Sequence, residues 1–381
     1  MTDALIVDAV RSPIGRRHGT LSVLRGDDLS AQVVNGLLDR NGVEPGEIED
    51  VQWGCVTQID EQAWNIGRNV ALAAGWPVSV CGTTVDRQCG SSMQTNFNAA
   101  AAIMSGQLDL VVSGGVEMMS RVPMGSNNGS MSDAVLERFE IVPQGISAEV
   151  IADRWHLSRE ALDDYSYESH RRAIAAIDEG RFEREIVPVE VGAGGAAVLV
   201  ATDENPRRDT SLEKLAGLKP AFKEDGKITA GNSSQISDGA AAVLLMTPEK
   251  AKELGVTPRA KIVDQTTVGV DPVIMLTGPI PATRKILERN GMQIGDIDLI
   301  EINEAFSSVV IAWERELKPD LDRVNVNGGA IALGHPVGAS GSRLFGTLLA
   351  ELERRDAEIG LVTMCCGGGL GTATLVQRID G

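Results

Sequence analysis

Cys89, followed by Gly90, Ser91 and Ser92, stands between a β-rich run, Pro77 to Val85, and an Ala-rich segment, Gln94 to Met104, which lacks Pro and Gly and reads as a helix. A thiol at the N-terminal end of a helix meets unpaired amides and the positive end of the dipole. Both favour thiolate, so nucleophilic attack is the chemistry this position suggests. The same stretch is equally compatible with a small cysteine buried under a helix and doing no chemistry. A second concentration lies near the C-terminus. Asn325-Val326-Asn327-Gly328-Gly329 precedes Gly334-His335-Pro336-Val337-Gly338-Ala339-Ser340-Gly341; a predicted helix, Ser342 to Arg354, and a strand, Ile359 to Met364, then lead into Cys365-Cys366-Gly367-Gly368-Gly369. A lone histidine is usually structural. One set among glycines and a proline lies where backbone can come close to a ligand.

The elements that must position these groups read as an α/β chain with an internal duplication. Residues Ala4 to Ala9 predict a first strand, and Asp28 to Arg40 a helix stopped by Asn41-Gly42. Residues 37 to 50 align without gaps on 286 to 299, sharing Leu38/Leu287, Arg40/Arg289, Asn41/Asn290, Gly42/Gly291, Gly46/Gly295 and Ile48/Ile297. Ile6-Val7-Asp8 recurs as Ile262-Val263-Asp264, and Asp109 to Gly115 matches Gly360 to Cys365, with Leu110 opposite Leu361. A period of about 250 residues is too long for a solenoid and implies two similar α/β domains. We place the first at 1–117, resuming at 238–258, and the second at 259–381. Residues 118–237 differ in character and read as an insertion: Met118, Met119, Met124 and Met131, a long amphipathic pattern from Ala148 to Ile177, and the Gly-rich run Val191 to Gly195. Insertions of this kind usually shape a ligand site.

With 381 residues the chain buries a large core, and no apolar run approaches the ~18 residues of a membrane span. Five cysteines without a CxxC pair give no disulfide framework, and the four histidines show no metal-ligand spacing. The N-terminus reads as a strand and not as a secretory leader, so a cytoplasmic protein with reduced thiols is expected. A net charge of −18 disfavours nucleic acid and means that an anionic ligand needs a local basic patch. Residues 207–227 supply one, with six basic residues against four acids, unless they are simply a solvated face.

Cys89, the run Asn303-Glu304-Ala305-Phe306, the glycine-flanked His335 and the Cys365-to-Gly369 run, in this order and spacing, resemble the thiolase family over essentially the whole chain. The resemblance implies a duplicated five-layered α/β/α/β/α fold whose inserted loop domain holds coenzyme A. It implies Cys89 as the nucleophile that carries the acyl group, His335 as its base, and Cys365 as the acid and base of the second step. Two oxyanion sites are implied, one from His335 and a water held by Asn303, the other from the amides of Cys89 and Gly367. Arg208, Asp209 and Thr210 fall where thiolases meet the nucleotide of coenzyme A, and Ser234 where they meet pantetheine. Gln144, Phe222, Ala230 and Phe306 are further candidates along the same tunnel. No metal and no permanently bound cofactor are implied, only coenzyme A and acyl-CoA as substrates, and a homo-oligomer, dimer or tetramer.

The activity expected on this basis is that of a 3-ketoacyl-CoA thiolase of fatty-acid or steroid side-chain oxidation. One alternative is an acetoacetyl-CoA-forming biosynthetic thiolase. A ketosynthase would carry a second histidine where Cys365 stands, and a non-catalytic acyl-CoA-binding subunit would be expected to have lost one of the four matching residues. Cys366 replaces an aliphatic residue and is either a small filler or a redox-sensitive neighbour. The methionine-rich segment from Met118 to Met131 could line an acyl pocket, fill the core or form a subunit contact.

Overall fold

A computed structural model describes residues 2–192 and 197–379; Gly194 and Gly195 of the glycine-rich run lie outside the described residues. One half of the molecule is a sheet in the order Cys81–Val85, Asp50–Gly54, Leu110–Met118, Ser237–Met246, Leu5–Arg11. The other half runs Leu299–Ile302, Ile359–Cys366, Leu370–Arg378, Ala260–Gly269. Leaving aside the extra edge strand Cys81–Val85, the two halves share one pattern of a parallel pair followed by two antiparallel neighbours. The halves meet where Leu5 and Ile6 pair with Lys261 and Ala260.

Two helices, Ser91–Met104 and Ser340–Arg354, form the central layer, and the latter packs against strands of both sheets. Its central-layer position explains why almost every side chain from Ser340 to Leu352 is buried. Gly26–Asn41 and Ile66–Ala73 cover the outer face of the first sheet; Pro279–Arg289 and Ser307–Leu317 cover that of the second, completing five layers. Among the described residues no helix is long and apolar enough to cross a membrane.

The duplicated residues make duplicated bonds. Asn41 and Asn290 each donate to their own helix, at 2.8 Å, and to the equivalent aspartates Asp8 (3.2 Å) and Asp264 (2.7 Å). Arg40 and Arg289 pair with the same two carboxylates. The carboxylates of Glu49 and Asp298 likewise cap the next parallel strand, accepting from the amides of Asp109 and Leu110 and of Glu358 and Ile359. This pairing corrects the sequence match of the strands. Asp50 pairs with Val111 and its counterpart Leu299 with Gly360, so Leu110 corresponds to Ile359 and not to Leu361. A two-residue slip leaves the pleat unchanged, so apolar residues match at either register.

Between Leu110–Met118 and Ser237–Met246, adjacent in the sheet, the chain runs out through residues 119–236. The amphipathic pattern expected from Ala148 to Ile177 is two helices, Gln144–Arg154 and Arg159–Asp178, not one. The break falls at His156, which has a φ of 51°, and Ser158 caps the second helix through the Ala161 amide. Periodicity alone does not reveal a break that keeps the same face buried.

Candidate active site

Cys89 ends a tight turn between the Cys81–Val85 strand and the Ser91–Met104 helix. Ser91 builds the turn, its hydroxyl donating to the Gln88 carbonyl (2.6 Å) and accepting from the Arg87 amide (2.9 Å). Gln88 lies in the left-handed region at φ 50°, a strain this turn holds directly beside the thiol. Gly90 is required here, because a Cβ would lie 2.6 Å from Cys366 Sγ.

The thiol is buried, and burial pushes its pKa up to about 11 against hydrogen bonds from the Gly367 amide, its own amide and the Gln144 side chain. The helix end therefore does not give a resting thiolate, contrary to the sequence-based expectation. Desolvation outweighs the dipole and the amides. Cys365 is also fully buried and its pKa lies well above the ordinary range, first through burial and then through the nearby Cys89 and Cys366 sulfurs. Because successive strand residues face opposite ways, Cys365 packs among Ala148, Leu276 and Phe306, while Cys366 packs beside Cys89, Met93 and Phe97.

His335 follows Gly334, which takes φ 104°, and its amide donates to the Gln235 carbonyl at 3.1 Å. Ser340 Oγ lies 2.6 Å from His335 Nδ1 and 2.9 Å from the Pro336 carbonyl. With its single proton given to the carbonyl, the hydroxyl accepts from Nδ1–H, which leaves the Nε2 lone pair facing Asn303 Nδ2 at 3.4 Å. Burial, reinforced by the positive charge of Arg343, holds His335 down at about 3. Imidazole and thiol are therefore both neutral at rest.

Asn303 is wholly buried, its amide donates to the Thr363 carbonyl (3.1 Å), and its Oδ1 has no partner among the described residues. A buried acceptor without a partner beside an imidazole suits a water molecule. The adjacent Glu304 fastens this loop, accepting from Tyr165 (2.8 Å), Ser169 (2.7 Å), Asn325 (3.2 Å) and the Ile331 amide (3.0 Å).

A cavity of about 1000 Å³ opens onto His335, and Gln144, Arg208, Asp209, Phe222, Ala230, Ser234 and Phe306 line it. Thr210 does not. Phe222 meets Phe306 edge-on, with ring centroids 5.9 Å apart, and Gly145 leaves it room, since a Cβ there would lie 2.1 Å from the ring. The basic patch is mostly neutralised: Arg208 pairs with Asp178, Lys214 with Asp209, and Lys223 and Lys227 with Asp153. The methionines divide, with Met118 in the core, Met119 and Met124 in the cavity wall and Met131 exposed. The sequence reading missed Arg16, Arg17, Asn205 and Gln235 as lining residues. Its available signal was the basic Gly15-Arg16-Arg17-His18 run in an acidic chain.

Two family descriptions, "thiolase, N-terminal domain" and "thiolase, C-terminal domain", match residues 4–249 and 256–378. The steroid 3-ketoacyl-CoA thiolase FadA6 of Mycobacterium tuberculosis is 49% identical over 392 residues, covering 100% of this chain and 95% of that protein. A 3-ketoacyl-CoA thiolase of Idiomarina loihiensis is 46% identical over 389 residues, covering 100% of both. The crystal structure of the Bacillus anthracis acetyl-CoA acetyltransferase superposes with a TM-score of 0.93 at 42% identity, covering 100% of this chain and 99% of that one. The chain thus belongs to the thiolase family.

Proposed function

We propose that the protein is a 3-ketoacyl-CoA thiolase that cleaves its substrate with coenzyme A to acetyl-CoA and a shortened acyl-CoA. Relatives similar over the full length carry that name, one of them for steroids, so oxidation of fatty acids or steroid side chains is the setting. The observation that carries the reading is a buried Cys89 bonded to the Gly367 amide, close to Cys365, in a molecule whose His335, 3.4 Å from Asn303, lines one large cavity.

Cys89 Sγ attacks the 3-keto carbon as its proton passes to His335 Nε2. The bond between the second and third carbons then breaks. Cys365 gives its proton to the departing acetyl-CoA carbanion and later takes the proton of the incoming coenzyme A thiol; that thiolate displaces Cys89 from the acyl group, and His335 returns its proton to the Cys89 sulfur. A neutral pair at rest suits this sequence, since the proton moves only as the bond forms. Developing negative charge on oxygen meets the Cys89 and Gly367 amides at one site, and His335 with an Asn303-held water at the other. The insertion, 118–237, supplies most of the coenzyme A site, with Arg208 and Asp209 at the nucleotide, Thr210 next to them but off the cavity wall, and Gln144, Phe222, Ala230, Ser234 and Phe306 along the pantetheine arm.

A homo-oligomer belongs to the same proposal. The outer edge of Cys81–Val85 is unpaired among the described residues, and Met131, Leu136 and Phe139 are exposed.

The test is a thiolysis assay with acetoacetyl-CoA and a series of longer 3-ketoacyl-CoAs. Acetyl-CoA should appear in a coenzyme A-dependent manner with the longer substrates. Cleavage of acetoacetyl-CoA alone would favour the biosynthetic alternative, and tight coenzyme A binding without turnover of any substrate would favour a non-catalytic subunit.

A further inference from the structure

The cavity holds more positive charge than the insertion accounts for. Four arginines line it, Arg16, Arg17, Arg207 and Arg208, against two carboxylates, Glu204 and Asp209. Arg207 and Arg208 stand on the insertion, where coenzyme A phosphates are expected. Arg16 and Arg17 stand on the loop after the first strand of the other domain, and among the described residues no carboxylate lies within 4.0 Å of either guanidinium. Glu204 does not serve as their partner, because its carboxylate is held by the Arg16 amide (3.0 Å) and by the amide and hydroxyl of Thr20.

Backbone pairing sets this loop beside the segment that holds His335, and Arg16 and Arg17 are both exposed. Arg16 pairs with Ser237 as a short strand, two residues from Gln235, whose carbonyl holds the His335 amide at 3.1 Å. The His18 amide bonds Ser120 Oγ at 2.7 Å, next to the cavity-lining Met119. The phosphates of a coenzyme A whose thiol reaches Cys89 lie a whole pantetheine arm away from His335. A 3-ketoacyl chain that leaves His335 along this loop brings an anion at its far end to the two guanidiniums.

Resting on the thiolase reading, we propose that Arg16 and Arg17 select 3-ketoacyl thioesters whose acyl chain ends in a carboxylate. A guanidinium pairs with a carboxylate through two parallel hydrogen bonds, and an apolar chain end in the same place leaves those donors unmatched. Met119 and Val337 provide the apolar wall along which the methylene groups of such a chain lie.

The test compares 3-oxoadipyl-CoA with 3-oxohexanoyl-CoA, which have the same chain length and differ in the terminal carboxylate. The wild-type protein should favour the former by about 10-fold or more in kcat/KM. Arg17→Ala and Arg16→Met should each cut that ratio by about 10- to 100-fold, and Arg17→Lys by less, with the preference weakening as salt is raised. Equal or better use of 3-oxohexanoyl-CoA by the wild type overturns the proposal. So does a rise in the KM for coenzyme A that is the same with both substrates, which would assign these guanidiniums to phosphate. Turnover of neither substrate, or of any longer one, would instead sink the thiolase reading itself.

Discussion

Equivalent strand ends in the two halves do opposite work. Asp50–Gly54 pairs with Leu110–Met118 in the register that Leu299–Ile302 keeps with Ile359–Cys366, so Gly54 and Asn303 occupy the same place. A Cβ at Gly54 would lie 2.5 Å from the Ser92 amide nitrogen and 2.8 Å from the Gly338 carbonyl oxygen; the space is filled by backbone of the two central helices' starts. At Asn303 the space holds a side chain reaching His335. The next strand repeats the contrast: Val116 and Glu117 correspond to Cys365 and Cys366. Glu117 spends its carboxylate on the amides of Val56, Thr57 and Gly338 and on Gln62, whereas the second half presents a thiol and then the Gly367 amide. On the proposed mechanism the first half contributes the nucleophile and clamps backbone, and the second contributes the groups that move protons. One scaffold supports both because its strand ends converge on the central helices, whichever residues they carry.

If the labour is divided in this way, removing a thiol from either half should stop different steps. Cys89→Ala should abolish acyl-enzyme formation. Cys365→Ala should still acylate, because activation of Cys89 rests on His335 and the oxyanion donors, while turnover falls by ~10² to 10⁴ for want of a group to exchange the carbon-bound proton. Intact mass after mixing with acyl-CoA separates them. A stable adduct on the Cys89→Ala protein, or near-normal turnover by Cys365→Ala, would reverse the assignment.

Exchanging the strand-end residues gives a smaller effect of two different kinds. Asn303→Ala should lower kcat by about 10² while leaving the unfolding transition nearly in place, as for loss of one oxyanion-site group. Gly54→Ala should act on the fold, costing about 3 kcal/mol or more, because backbone and not a side-chain tip is in the way. Thermal melts and steady-state rates of both variants decide it. A Gly54→Ala protein of wild-type stability would mean that the two central helices are not held as tightly as the close approach indicates.

The halves were legible in the sequence because Leu38, Arg40, Asn41 and Gly42 do the same job as Leu287, Arg289, Asn290 and Gly291. Cys89, His335 and Cys365 stand out in the sequence because glycines beside them mark where backbone must come close. Three things escaped. The strand register was off by two because alternating apolar residues match themselves at that shift. The acidity of Cys89 was misjudged because the sequence shows a helix end but not how much water is excluded from it. Arg16 and Arg17 were passed over because their place in the cavity depends on pairing with Ser237, far away in the chain.

The misjudged acidity can be tested directly. With Cys89 near 11 and His335 near 3, the resting pair stays neutral across the physiological range. At pH 8 roughly 0.1% of the thiol is ionised, so iodoacetamide alkylation of Cys89 should climb about 10-fold per pH unit from pH 7 to 9. Peptide-level mass spectrometry keeps the exposed Cys81 out of the count. A plateau below pH 8 would show a thiolate–imidazolium pair and would restore the helix-end expectation.

The smallest difference concerns the shared clamp. Arg40 and Arg289 pair with Asp8 and Asp264, but their side chains are 32% and 46% exposed, so solvent screens both pairs. Asp8 is also held by the buried Arg259, and so keeps a cation when Arg40 is removed; Asp264 keeps the Asn290 amide. Arg40→Ala and Arg289→Ala should therefore each cost less than about 1 kcal/mol in chemical denaturation. Together they should add without coupling, since they share no partner. Turnover should not change, because neither residue lines the cavity. A cost well above that range for Arg289→Ala alone would mean that the second half depends on its clamp in a way the first does not, and that the duplicated bonds are not equivalent.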